Sequence, residues 1–184
     1  MRMPKSVNVT LALPLLQISG TWEPSDAERR AAWELYVELI TRSTVVSLHD
    51  DEGLLRETLT SLYSLFPTTR DVLRHYGPDL AQPKPAGQYN LGYLAVAMLN
   101  FAIRPLLARW HPALEDWEHQ RPTDRSRHDH EQAWPQAAAL RAALDDTRKA
   151  LGTFVELLAA ACGIPSLLDA ATPPDRRQVP SSAA

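Results

Sequence analysis

The alternation of apolar and polar positions near the start of the chain predicts a β-strand. Val7–Leu13 places an apolar side chain at every second position, the period of a strand with one buried face. Pro14 stops the ladder or confines the strand to a sheet edge, because proline has no backbone N–H to donate. A lone strand leaves its backbone groups unpaired and therefore needs a partner. The only other β-like run is residues 44–48, so the strand pairs with that run or with another chain.

Beyond residue 24 the apolar positions recur at helical spacing. Ser25 and Glu28 form a capping-box pattern, which predicts a helix that extends to about Arg42. Its predicted apolar face consists of Trp33, Tyr36, Val37 and Ile40. A second helix follows the acidic residues 50–52, because negative charge is favoured at a helix N-terminus. Its predicted buried side chains are Leu54, Leu55, Leu59, Leu62 and Leu65.

The second half of the chain contains the most apolar predicted helix. A short helix ends at Gly77-Pro78, and residues 79–88 form a loop. Residues 89–110 are apolar nearly all round as far as Ile103, which is typical of a core helix, and Pro105 predicts a kink in it. After a polar linker at 120–127, a last long helix begins near residues 128–132, contains Trp134-Pro135 and ends at Cys162.

These patterns predict a mostly α fold, an irregular bundle of about five helices packed around the helix of residues 89–110. The predicted organisation is an extended β arm at 1–20, one helical domain at 21–168 and a disordered tail at 169–184. The tail is rich in Pro, Ser, Ala and Arg, and it carries no apolar period that would order it. The chain contains no internal repeat.

Composition narrows the class of protein without naming its function. The chain has 184 residues, enough for one domain with a core, and a net charge of -3, which gives no overall footprint for nucleic acid. Cys162 is the only cysteine, so neither a disulfide within the chain nor a cysteine-rich zinc site can form. The N-terminus is a poor signal peptide and the apolar tract 91–103 is too short to span a bilayer. We therefore expect a cytoplasmic protein without a membrane segment or a cofactor.

Residues 100–122 concentrate side chains that bind ligands or partners. Trp and Arg dominate the energetics of protein interfaces, because they bury a large area while keeping a polar group available. We take these residues as a candidate ligand or partner surface, with a helical-core role for the tryptophans as the alternative. The set consists of Arg104, Arg109, Trp110, Trp117 and Trp134.

A metal site is the second hypothesis for this region. His111, Glu115 and His119 are spaced i, i+4 and i+8, which places them on one face of a continuous helix. His128 and His130 are expected to approach from the next segment, and imidazole with carboxylate suits zinc or iron. No matched pair on another helix supports the site, so surface or structural histidines are the alternative. Arg104 and Arg109, near the predicted kink, are a candidate site for an anionic ligand.

A nuclease is the third hypothesis. Small helical toxin nucleases of the HEPN class carry Arg, four to six residues and then His, usually with a polar residue directly after the Arg. Arg70 and His75 resemble that pattern, with Asp71 as the polar residue. The resemblance implies His75 as acid or base and Arg70 as the phosphate ligand. The spacing alone is uninformative, since five of the six histidines in the chain match it.

Several segments are similar to those of small uncharacterised helical proteins from bacterial conflict or defence loci. The similarity covers about residues 22–164 and is carried by residues 52–57, 61–66, 104–112 and 130–134. It implies a partner-dependent accessory or regulatory role and transfers no catalytic residue.

We therefore favour a non-enzymatic protein-interaction or regulatory module, acting on a protein partner or a second copy, with Val7–Leu13 as one contact. The alternatives are a metal-independent RNase that uses Arg70 and His75, and a sensor that binds a small anion or a metal near Arg104, His111, Glu115 and His119.

Overall fold

The computed structural model describes residues 4–42 and 53–171 and confirms the mostly α fold with a small N-terminal sheet. The strands are β1 Val7–Leu13, β2 Leu16–Trp22 and β3 Gln88–Tyr89. The helices are α1 Asp26–Ile40, α2 Leu55–Tyr63, α3 Leu65–Tyr76, α4 Leu91–Met98, α5 Arg104–His119, α6 Arg127–Gln132, α7 Ala137–Cys162 and α8 Leu168–Ala171. The acidic residues 50–52 and the tail from residue 172 lie outside the described residues.

β1 forms a hairpin with β2, a strand that the apolar pattern did not reveal. The two strands pair antiparallel along their whole length, from Val7 opposite Trp22 to Leu13 opposite Leu16. The prediction for Pro14 is confirmed, since β1 ends at Leu13 and lies at the edge of the sheet, and Pro14 occupies the two-residue turn, where its fixed φ is favourable. The alternate side chains of β1 are buried, and the strand packs on α7. Residues 44–48, considered above as its partner, lie outside the described residues.

The capping box of α1 is confirmed and also ties the sheet to the bundle. The Ser25 hydroxyl accepts a hydrogen bond from the Glu28 N–H, and the Glu28 carboxylate accepts one from the Ser25 N–H. The predicted apolar face of this helix is wrong in part, since Trp33 and Val37 are exposed while Tyr36 is buried. The side chains that α1 buries are Glu28, Ala31, Ala32, Leu35, Tyr36 and Leu39.

The predicted core helix is the central element of the bundle and is buried as expected, with Leu94, Met98 and Ile103 almost inaccessible to solvent. Before Pro105 the helix passes through one π-helical turn, Leu99–Ile103, in which the Arg104 N–H donates to the Leu99 carbonyl. The wider turn accommodates a proline that lacks an N–H and would otherwise collide with the preceding turn. The structure thus places a π turn before Pro105, and α5 continues through Pro112 to His119.

By length and composition the segment Leu91–His119 is apolar enough to cross a membrane, but 56% of its most apolar window is buried inside the bundle. Such burial is typical of a core helix.

The last predicted helix is divided in two at Trp134-Pro135. α6 ends at Gln132 and α7 begins at Ala137, because the proline ring disfavours helical backbone in the residue before it. α7 ends at Gly163, whose left-handed φ of 68° forms the C-cap. Beside this end, burial raises the pKa of the Cys162 thiol, which is therefore an unreactive group at neutral pH.

Candidate functional site

A groove of about 600 Å³ between the α2–α3 junction and α5 combines aromatic and cationic side chains. We call it the aromatic–arginine groove. Its aromatic and polar lining consists of Tyr63, Phe66, Arg70, Arg104 and His111, and its apolar wall of Leu107, Ala108 and Pro112. No carboxylate belongs to this lining among the described residues. The groove therefore combines positive charge with an apolar wall.

The local fold explains why these side chains meet. α2 ends and α3 begins at Ser64, whose backbone is itself helical, so Tyr63 and Phe66 are three positions apart across the junction and their ring centroids are 6.2 Å apart. Arg70 lies one helical turn beyond Phe66, on the same side of α3. The π turn inserts one residue before Arg104 and rotates the following helix, and Arg104 faces α3 with its guanidinium 5.2 Å from the centre of the Phe66 ring.

The two arginines of the groove lack acidic partners within the described part of the chain. The ion pairs formed there use other residues, and Arg104 donates only to the neutral Asn100 side chain, at 2.9 Å. An arginine cannot lose its proton at physiological pH, so both charges persist in the free protein. The contact with the Phe66 ring also restricts the orientation of the Arg104 guanidinium. Its N–H groups other than Nε–H remain available to a ligand.

His111 contributes a neutral ring at the edge of the groove. Arg56 donates to His111 Nδ1 over 2.9 Å, and since arginine is always a donor, the ring proton lies on Nε2. Burial, then the charge of Arg56, lowers the pKa of His111, while the Leu59 carbonyl and nearby glutamates act in the opposite direction. Nε2 is buried and forms no hydrogen bond with a described group. The ring also meets Tyr63 edge to face, at 6.2 Å.

Arg56 holds His111 in this position from α2. Its guanidinium binds both carboxylate oxygens of Glu118, with distances of 2.7 to 3.1 Å, while reaching His111 on the same helix α5. At the start of α2, the buried Glu131 carboxylate of α6 accepts the Leu55 N–H at 2.6 Å. Burial raises the pKa of Glu131, and the backbone donors of Leu55 and Arg56 oppose that rise. These contacts fix one wall of the groove.

The predicted partner surface is largely wrong for the tryptophans. Trp110 and Trp134 are buried against each other edge to face, with ring centroids 5.9 Å apart, because a large apolar ring gains most by leaving water. Trp117 is half-buried and joins α5 to α6, stacking on His130 at 4.5 Å and donating to its carbonyl. Arg109 lies over Trp110, outside the groove. Only Arg104 of this set lines the groove.

The metal hypothesis is not supported by the geometry. His111, Glu115 and His119 do lie on one continuous helix, but the two histidines are about 12 Å apart along its axis, while ligands of one zinc ion must lie within about 4 Å of each other. Glu115 and His119 line a second cleft, of about 370 Å³, beside α6. Among the described residues no group of three or more His, Cys, Asp or Glu side chains is placed to hold a metal ion.

Arg70 and His75 are not brought together. Five residues of helix separate them by about 140° around the axis of α3, so they face different grooves. Arg70 lines the aromatic–arginine groove, while His75 lies with Trp33 and Val37 in a groove between α1 and α3. The nuclease hypothesis therefore has no groove that both residues line.

No protein-family model matches the chain, and no curated protein or solved structure matches it. The similarity to small helical proteins of bacterial conflict or defence loci therefore stays a prediction, and the assignment of the site rests on its geometry.

Proposed function

We propose that this protein is a non-enzymatic interaction module that docks a protein partner in the aromatic–arginine groove. The observation that carries the proposal is Arg104 stacked on Phe66 beside the exposed Tyr63, with no acidic partner in the described residues. Aromatic and arginine side chains at the centre of a concave surface are typical of interface hot spots. A regulatory accessory role in a bacterial conflict or defence system is part of the proposal and rests on the sequence similarity.

The chemistry of the lining supports binding rather than catalysis. Covalent catalysis needs a nucleophile within hydrogen-bond reach of a base, and the base is usually oriented by a third group. Among the described residues the lining contains the Tyr63 hydroxyl but no cysteine or serine, that hydroxyl forms no hydrogen bond with a base, and the one imidazole receives a hydrogen bond from Arg56 at the nitrogen that would accept a proton. The groove therefore offers donors, positive charge and apolar surface, which are the elements of recognition.

Replacing Tyr63 with alanine is expected to weaken partner capture by about 2 kcal/mol, roughly thirtyfold in Kd, because a hot-spot aromatic ring loses its whole contact area. Tyr93 is the matched control, since it is also exposed (48% against 60% for Tyr63) but lies on α4 outside the groove. The measurement is native capture from the source cell with wild type, Tyr63→Ala and Tyr93→Ala, each checked by circular dichroism.

Equal capture by all three proteins would contradict the proposal. A different result would favour the small-anion sensor: no protein captured, together with a melting temperature that inorganic phosphate raises in wild type and not in an Arg104→Ala variant.

A further inference from the structure

We infer that the partner segment docked in the aromatic–arginine groove is an acidic peptide stretch, in which two carboxylates flank an apolar or aromatic side chain. The inference rests on the proposed function and adds the chemistry of the partner.

The two arginine charges of the groove favour a partner that carries two carboxylates. Arg70 and Arg104 stand on two different helices and line the same groove, Arg70 one turn beyond Phe66 and Arg104 over the Phe66 ring. Each planar guanidinium suits one carboxylate, which it can bind through two parallel hydrogen bonds. Since the described carboxylates form no ion pair with either arginine, these bonds remain available to a partner.

The apolar wall determines what lies between the two carboxylates. Leu107, Ala108 and Pro112 form one side of the groove, and the Phe66 and Tyr63 rings form the other. An apolar or aromatic side chain placed there is buried on both faces, whereas an inorganic anion leaves this apolar surface exposed to water. The groove volume of about 600 Å³ lies in the range of sites that enclose a ligand of several side chains' size.

The positive charge of the groove comes from its two arginines alone. His111 adds neither charge nor an available donor, because its pKa is lowered, its Nδ1 receives a hydrogen bond from Arg56 and its Nε2 is buried. Two arginines on separate helices suit two single negative charges, one on each guanidinium.

Two other grooves of the described chain carry acidic side chains. The groove between α1 and α3 is lined by Glu34, Glu38 and Asp71, and the cleft beside α6 contains four glutamates among its arginines. An acidic segment is therefore repelled or met by mixed charge at those places. The aromatic–arginine groove, unlike these two, offers it positive charge with no carboxylate in the lining.

The test measures how tightly the captured partner binds wild type, Arg70→Glu/Arg104→Glu, Tyr63→Ala and the control Arg109→Glu/Arg125→Glu. Both control arginines are exposed and lie outside the groove, and their reversal changes the net charge by the same amount. We expect the groove reversal to weaken binding about tenfold or more, and rising salt to weaken the wild-type complex, while the control variant binds like wild type. A blocked Glu-Phe-Glu peptide should compete with the partner, and its Gln-Phe-Gln analogue should not.

The remaining outcomes separate the two proposals. Loss of binding in Tyr63→Ala with full binding by the groove reversal would overturn the acidic segment and keep the docking site. Full binding by both variants would overturn both proposals. Loss of binding after the partner is treated with a phosphatase would assign the groove to a phosphorylated segment and overturn the carboxylates.

Discussion

Replacing Glu28 with alanine is expected to lower the free energy of unfolding by about 3–5 kcal/mol, the cost of breaking a buried ion pair by removing one partner. The Glu28 side chain is 1% exposed and accepts hydrogen bonds from the Trp22 indole at 3.0 Å and from the Leu91 N–H at 2.9 Å. It also caps α1 and pairs with the Lys84 ammonium at 3.1 Å. The alanine variant leaves these donors buried without an acceptor.

Urea unfolding followed by circular dichroism measures this effect. Glu38→Ala is the control, because Glu38 is on the same helix and also forms an ion pair, with Arg42, but is 44% exposed. A surface pair of this kind contributes at most about 1 kcal/mol. If Glu28→Ala costs no more than Glu38→Ala, Glu28 does not join the sheet, α1 and α4 as described.

Replacing Trp110 with alanine is expected to cost about 3–5 kcal/mol, the range found when a large core ring is deleted. The Trp110 side chain is 3% exposed and packs edge to face on Trp134. Trp33→Ala removes the same side chain at a position that is 46% exposed and stacks on Tyr36, and it should cost about 1 kcal/mol. Chemical unfolding of the two variants gives the comparison.

A double-mutant cycle of Trp110 and Trp134 should return a coupling of about 0.5–1.5 kcal/mol beyond the lost area. An effect of Trp110→Ala no larger than that of Trp33→Ala would contradict the assignment of Trp110 to the core.

The helical part of the fold follows from sequence because its signals are local. The capping box at Ser25 and the leucines of α2 and α3 act within a few residues, and the uniformly apolar stretch before Ile103 has few alternatives to burial. The β1–β2 hairpin could not be predicted in the same way, because Gly20 interrupts the apolar alternation of β2. Pro14 is also compatible with either a strand end or a hairpin turn. The buried face of α1 was misassigned because alanines, weakly apolar in sequence, lie inside while Trp33 lies outside.

The candidate site could be predicted only in part. The sequence draws attention to Arg70, Arg104 and His111. Which of them share a groove depends on the π turn and on the α2–α3 junction. Tyr63 and Phe66 read as ordinary members of an apolar helix, and nothing local pairs them with Arg104, some forty residues away. The positions of the tryptophans could not be predicted, because a tryptophan ring is typical both of an interface and of a core.

Site-specific photo-cross-linking tests the account most directly. A photoreactive phenylalanine analogue is placed at Tyr63, inside the groove, or at Tyr93, an exposed position on α4 outside it. The proteins are then illuminated with their partner in the cell. The account predicts a cross-linked partner from position 63 and none from position 93. A cross-link from position 93 alone would place the partner elsewhere and contradict the assignment of the aromatic–arginine groove.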